Sequence, residues 1–253
     1  MKPAKTRQIL TPPHSWRDMP WGESFRDALT QHLQPCLSKL YGFHLLKIGN
    51  LSVEIDTQAC AISHQVSVGD AGQDVQVIAD PMNLPFEAKS VDACLLAHTL
   101  SWSQDPHRIL REVDRVLIDD GWIIITGFNP LSLLGMGKLI PGLHRRAPWS
   151  GRMFSQMRLL DWLSLLNYEV VYRSRFQVVP WNRQGGQIIS RHVPALGCLN
   201  IMVARKRTLP LTMTPAKRSA AKLSYAQRST PRGSCTNWTI RILADSQYLQ
   251  KRD

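Results

Sequence analysis

"ADPMNLPFEAKSVDACLLAHTLSWSQDPHRILREVDRVLIDDGWIIITGFNP", Ala79 to Pro130, decides the fold. Within it "VDACLLA" (91–97) is an apolar run of the length of a buried strand. Asp105-Pro106 then reads as an N-cap followed by proline at the first helical position, where a missing N–H leaves nothing unpaired. The helix it opens puts Ile109, Leu110, Val113, Val116 and Leu117 on one face and stops at "DDG" (119–121). "WIIIT" (122–126) follows without alternation, as in a central parallel strand buried on both sides. Strand, helix and strand in that order make the repeating unit of a parallel α/β sheet.

Working outward, Phe25, Leu29, Leu33 and Leu37 recur at helical spacing between Gly22 and Gly42, with Pro35 as a kink or boundary. "HLLKI" (44–48) is a strand turning on Gly49, and 62–68 and 75–79 are further strand candidates. Downstream, "SGRMFSQMRLLDWLSLLN" (150–167) predicts a helix capped by Ser150, followed by strands at 168–179 and 198–207. Only "GDAGQD" (69–74) separates the second and third strands. A parallel crossover takes about a dozen residues or more, so these two strands are expected to form a hairpin without the usual helix. The expected fold is therefore α/β: a mostly parallel, Rossmann-like sheet with helices on both faces, trimmed around strands two and three. Residues 1–42 read as an N-terminal helical cap segment whose first twenty residues are Pro-rich and loosely ordered. Residues 43–207 read as the main domain, and 208–253 as a disordered basic tail.

The charge of the 253-residue chain narrows its partners. Of the formal net charge of +12, residues 205–253 carry +9, from eleven Lys/Arg and two Asp. The body is close to neutral and has no basic stripe with interleaved aromatics, which argues against nucleic acid as the partner of a folded face. Five scattered cysteines without a CxxC pair give no zinc knuckle or disulfide frame, so neither a metal nor an oxidising compartment is expected. The first residues lack the apolar core of a secretory signal, and no run of about 18 apolar residues spans a bilayer. The expected location is cytoplasmic.

The 79–130 block resembles class I S-adenosylmethionine-dependent methyltransferases, especially the small-molecule branch that includes ubiquinone and menaquinone biosynthesis enzymes. The matching elements are the acid Asp80, Leu84-Pro85-Phe86, Ser90-x-Asp92, a strand ending in His98-x-Leu100, Asp105-Pro106, "REVDRVL" (111–117) and Gly121 before the fifth strand. The late helix, "MFSQMRLLDWLSLLNYEVV", and "IMVARKR" extend the likeness to about residues 43–207. Within that fold the chain looks like a bacterial subgroup with a degenerate glycine loop and "GFNP" after the fifth strand.

The resemblance implies S-adenosylmethionine as cofactor and assigns roles residue by residue. Asp80 would accept the adenine amino hydrogen bond, Pro81 and Met82 would cover the adenine face, and Gly49 would let the methionine end approach the backbone. His98 falls near the reacting methionine end, where it would act as a base or position the acceptor; a structural histidine is the competing reading. A turn-forming Asp80 and a gap-filling Met82 likewise stand beside their cofactor roles. Three departures concern the loop itself: Lys47 stands where the family often has an acid, and Leu51 and Val53 occupy the second and third glycine positions. Asp70 or Asp74 is available for the ribose hydroxyls, though both read as turn residues. The expected function is methyl transfer to a small-molecule or lipid-like acceptor. The alternative is a catalytically inactive methyltransferase-fold protein that binds a ligand or partner.

Overall fold

A computed structural model of the chain describes residues 5–6, 10–70, 72, 74–140, 146–176 and 196–208. In chain order its elements are α1 (Gly22–Leu37), β1 (His44–Ile48), α2 (Asn50–Val53), β2 (His64–Gly69), β3 (Val77–Ile78), β4 (Val91–Ala97), α3 (Thr99–Trp102), α4 (Pro106–Val116), β5 (Leu117–Phe128), α5 (Leu133–Met136), α6 (Gln156–Leu165), β6 (Tyr168–Phe176) and β7 (Leu199–Lys206). The strands form one sheet in the order β3-β2-β1-β4-β5-β7-β6. The pairs from β3 to β5 are parallel, and β7 is antiparallel to both its neighbours. Beyond residue 208 the expected tail lies outside the described residues.

Alternation along the strands sorts the core into two layers. On one face Cys94, Leu96, Ile123, Ile125, Met202 and Ala204 pack against Ile109, Leu110, Val113 and Val116 of α4 and Leu159, Trp162 and Leu163 of α6. The face read from the sequence of α4 is thus the face it buries, and Asp105 caps the helix by accepting from the Arg108 N–H. On the other face Ala93, Leu95, Ile124, Ile201 and Val203 pack against Phe25, Leu29, Leu33 and Leu37 of α1. The α1 segment is the third layer of this core.

Four local expectations are corrected. The second and third strands are parallel, with Val68 opposite Val77 and Gly69 opposite Ile78, and do not form a hairpin. A crossover normally returns the length of a whole strand; β3 has two residues, so the chain retraces only about 7 Å at ~3.3 Å per residue. The trimming itself is real, since no helix is found among the described residues between these strands. The late helix starts at Gln156 and is capped by Ser155, not Ser150. Pro35 lies inside α1, two residues before its end, and does not start a new element. Finally, the first twenty residues are not uniformly loose: Ser15 caps a single 3-10 turn, Trp16–Asp18, through a capping box. Trp16 is fully buried, and its indole Nε1 donates to the Leu51 carbonyl at 2.9 Å.

His98 belongs to the same apolar layer. It follows β4 in the left-handed backbone region (φ 59°), and its ring lies 5.2 Å from Trp16, edge-on, and 4.2 Å from Phe128. Burial pushes its pKa down from 6.5 to about 3, so the folded protein holds the imidazole neutral.

Two measurements test this packing. Trp16→Ala is expected to cost about 3–5 kcal/mol in a urea titration, as for a buried tryptophan; a loss below about 0.5 kcal/mol would mark a loose surface segment instead. The His98 contribution has a definite sign. The unfolded chain takes up a proton as pH falls below about 6.5 while the folded ring stays neutral, so stability is complete above that pH and declines below it by up to ~1.4 kcal/mol per pH unit, until about pH 3. His98→Leu should flatten the slope of unfolding free energy against pH between about 6 and 4. Equal slopes in parent and variant would show that the ring is protonated in the fold.

Candidate functional site

The strand order reverses direction on either side of the β1/β4 pair, and in open α/β sheets ligands bind in the crevice at the carboxyl end of such a switch point. Here β1 and β4 pair only over Leu45–Lys47 and Ala93–Leu95. Beyond that the buried Ser52 hydroxyl replaces the ladder, donating to the Ile48 carbonyl at 2.6 Å and accepting from the Ala97 N–H at 2.7 Å. Thr99 Oγ1 donates to the same Ile48 carbonyl at 2.5 Å. The strands are held apart with their backbone groups satisfied.

Gly49 makes the turn out of β1 with φ 92°, and a Cβ there would stand 2.7 Å from Thr99 Oγ1. Only glycine fits. The chain then enters α2 directly, with Asn50, Leu51 and Ser52 all buried. Asn50 reaches across to the end of β2: its Nδ2 donates to Asp70 Oδ1, and its Oδ1 accepts from the Asp70 N–H at 3.2 Å. That reach requires the preceding glycine, because a Cβ on Gly69 would lie 2.4 Å from Asn50 Oδ1. After β3, Asp80 closes an Asx turn, with Oδ1 accepting from the Met82 N–H at 2.9 Å. Its Oδ2 has no protein partner among the described residues.

These ends enclose a cavity of about 240 Å³. Gly49, Asp80, Pro81 and Met82, four of the five residues singled out from the sequence, line it together with Asn50 and Asp70. Trp102, Ser103 and Gln104 close it from the β4 side, and Leu10, Pro12 and Pro13 lie along it from the N-terminal segment, which Thr6 ties down through its N–H to the Gln104 carbonyl at 2.9 Å.

The fifth residue, His98, is not at the cavity wall, although its neighbours Ala97 and Thr99 are. Its ring is fully buried behind them, and neither ring nitrogen has a hydrogen-bond partner among the described residues. A base facing the cavity is therefore not supplied by this side chain. Lys47, read as a departure from the family, is also turned away: it is buried and donates from Nζ to the Ile55 carbonyl at 3.0 Å. Burial lowers its pKa, with Asp56 and then Cys60 opposing. Asp70, read from the sequence as a turn residue, lies in a bend at the cavity wall, and Asn50, which the sequence reading passed over, lines the cavity beside it. The available signal was position: Asp70 directly follows the second strand, and Asn50 directly follows the loop glycine.

Among the described residues, no group of three or more His, Cys, Asp or Glu is arranged to hold a metal, and no helix is long and apolar enough to cross a membrane. The cavity's donor set suits an organic ligand instead: two carboxylates at strand ends for hydroxyl and amino groups, and a backbone turn stripped of its Cβ for close approach.

Comparison with known proteins agrees with this geometry. Residues 42–125 match the methyltransferase domain family. The Escherichia coli (strain K12) uncharacterized protein YafS is 60% identical over 222 residues, 88% of this chain and 92% of that protein. Among solved structures, a SAM-dependent methyltransferase from Thermotoga maritima, described as a possible histamine N-methyltransferase, is 18% identical with a TM-score of 0.51, over 73% of this chain and 95% of that one. A SAM-dependent methyltransferase from Archaeoglobus fulgidus is 15% identical with a TM-score of 0.52, over 72% and 94%. At those identities the likeness is one of fold. With the switch-point cavity, the strand order and the 60% relative in place, the chain belongs to the YafS family, built on the class I S-adenosylmethionine-dependent methyltransferase fold.

Proposed function

We propose that this protein transfers a methyl group from S-adenosylmethionine to a small-molecule or lipid-like acceptor. The observation that carries the reading is the meeting of Gly49, Asp70 and Asp80 around one cavity at the β1/β4 switch point. The cofactor supplies a methyl carbon already activated by its sulfonium. What remains for the protein is alignment of the acceptor and exclusion of water. Asp80 takes the adenine amino group through Oδ2, Pro81 and Met82 cover the adenine face, and Asp70 takes the ribose hydroxyls. The Gly49 turn accommodates the methionine end. His98 supports the Ala97–Thr99 turn from behind and moves no proton.

A second reading, a binding module without transfer activity, is favoured by two features. The Asp70 carboxylate is already engaged by Asn50, and the cavity of about 240 Å³ is smaller than the ~300–1,000 Å³ usual for small-molecule sites. Binding of the whole cofactor then requires Leu10, Pro12 and Pro13 to give way.

Calorimetric titration with S-adenosylmethionine tests the methyl-transfer reading, and methyl transfer from bound cofactor separates it from the second. Asp80→Ala should weaken binding by about 1.5–3 kcal/mol, roughly 10- to 150-fold, as for a hydrogen bond to a charged group. At about 100 times its dissociation constant the cofactor should stabilise the parent by ~2.7 kcal/mol. Gly49→Val is the poorer probe, because its side chain collides with Thr99 before any ligand arrives. Absence of heat and of a thermal shift with cofactor on the order of 1 mM would end the methyl-transfer reading.

A further inference from the structure

Where β5 ends, at the carboxyl edge of the sheet, the chain presents an apolar ridge to solvent. Leu131 is 65% exposed, Leu133 48%, Met136 57% and Ile140 52%. The backbone beneath them is firmly held. Ser132 caps α5 by accepting from the Gly135 N–H at 3.1 Å, and its hydroxyl donates to the Asn129 carbonyl at 2.7 Å. Leu134 is buried, and its carbonyl accepts from the indole Nε1 of the buried Trp149 at 2.8 Å. Leu133 and Met136, three apart, share the outer side of the turn. Exposed Trp21 packs edge-on against Trp149 at 6.5 Å and adds an amphipathic ring beside the ridge. Apolar side chains gathered on a fixed turn in this way mark a surface that is covered in use.

Charge says what covers it. From Gly121 to Leu160 the chain has five Lys/Arg and no Asp or Glu, whereas the rest of the first 204 residues holds 15 Lys/Arg and 17 Asp/Glu. The body's excess of positive charge thus lies in the segment that carries the ridge, with Arg146 exposed. A second copy of this chain would cover the apolar side chains, but a two-fold contact would set like charges of both copies against each other. A bilayer with anionic headgroups complements both features, with apolar depth for the ridge and negative charge around it. The ridge is also joined to the cavity. Lys138 Nζ donates to the Gly151 carbonyl at 2.8 Å, and a Cβ on Gly151 would stand 3.1 Å from the ring of Trp102, which lines the cavity.

We propose that Leu131, Leu133, Met136 and Ile140 seat this protein on an anionic lipid surface, from which the cavity receives its acceptor. That the surface delivers an acceptor rests on the methyl-transfer reading; the docking surface does not.

The test floats the full chain with phosphatidylcholine vesicles containing about 30% phosphatidylglycerol, and with phosphatidylcholine alone, in ~0.15 M salt. The protein should rise with the anionic vesicles and stay largely below with the neutral ones. Leu133→Ser combined with Met136→Ser should lower the ratio of bound to free protein about tenfold or more. Both side chains are exposed, so the melting temperature should not change. Ile140→Ser, outside α5, is the second arm and should weaken flotation severalfold. Sedimentation velocity without lipid should give a monomer for parent and variants alike. Absence of flotation by the parent overturns the proposal. Flotation retained by both variants overturns it too, because binding then belongs to the basic tail. Self-association of the parent that the variants lose assigns the ridge to a second copy and overturns it as well. A cofactor shift that persists beside such a failure leaves the methyl-transfer reading standing. Vesicle binding without any cofactor shift removes that reading and keeps the surface.

Discussion

One buried hydroxyl holds the crevice open. Had β1 and β4 gone on pairing to their ends, the sheet would be closed where the cavity now lies. Ser52 takes both groups that the broken ladder would orphan, the Ile48 carbonyl and the Ala97 N–H. A buried backbone group left unmade costs about 1–3 kcal/mol, so a split without such a bridge would tend to zip shut or destabilise the fold. Because Ser52 must sit on the axis of the split, the chain has to fold back on itself right after β1. That forces the positive φ of Gly49 and the helical turn after it.

The same turn explains why the N-terminal segment is part of the site. A four-residue helix cannot satisfy its own last carbonyls, and α2 receives the Trp16 indole N–H on Leu51. Leu51, read from the sequence as filling a glycine position of the loop, packs in the apolar layer with Trp16, Phe25 and Ile55. The side chain that looks from sequence like damage to a cofactor loop therefore anchors that loop to the third layer. Asn50 uses the opposite side of the turn to tie β1 to β2 through Asp70. Loop, strap and second strand form one bonded unit.

The parts legible in the sequence are those governed by local rules. The α4 face, its Asp105 cap and the span of β4 follow from spacing and capping chemistry within some twenty-five residues, and the structure reproduces them. Gly49 directly follows β1, whose limits were readable, and Asp80, Pro81 and Met82 come after a strand read as 75–79 that spans only Val77–Ile78. The misread parts depend on contacts remote in sequence. Nothing local shows that Trp16 bonds to Leu51, or that Asn50 meets Asp70 twenty residues on. The hairpin expectation applied the length rule for full strands to a strand of two residues. His98 was placed correctly along the chain, but whether its ring turns toward the cavity or the core is decided by Trp16 and Phe128.

The two edges of the sheet treat polar groups differently. At the amino edge polar groups are tied: Asp92 accepts from the Phe43 and His44 N–H groups, and Asp114 takes the Tyr168 hydroxyl and pairs with Lys206. At the carboxyl edge His98, Trp102 Nε1, Thr126 Oγ1 and the Asn200 carboxamide are buried without hydrogen-bond partners among the described residues. Each such group costs about 1–3 kcal/mol, and an apolar residue of similar shape would remove the penalty. Stability alone therefore favours leucine or valine at these positions. The unsatisfied groups stand where β4 and β5 end and β7 begins, the edge that holds the cavity. Of these residues Trp102 lines the cavity, whereas the His98 ring faces Trp16 and Phe128 and bears its desolvation cost inside the apolar layer.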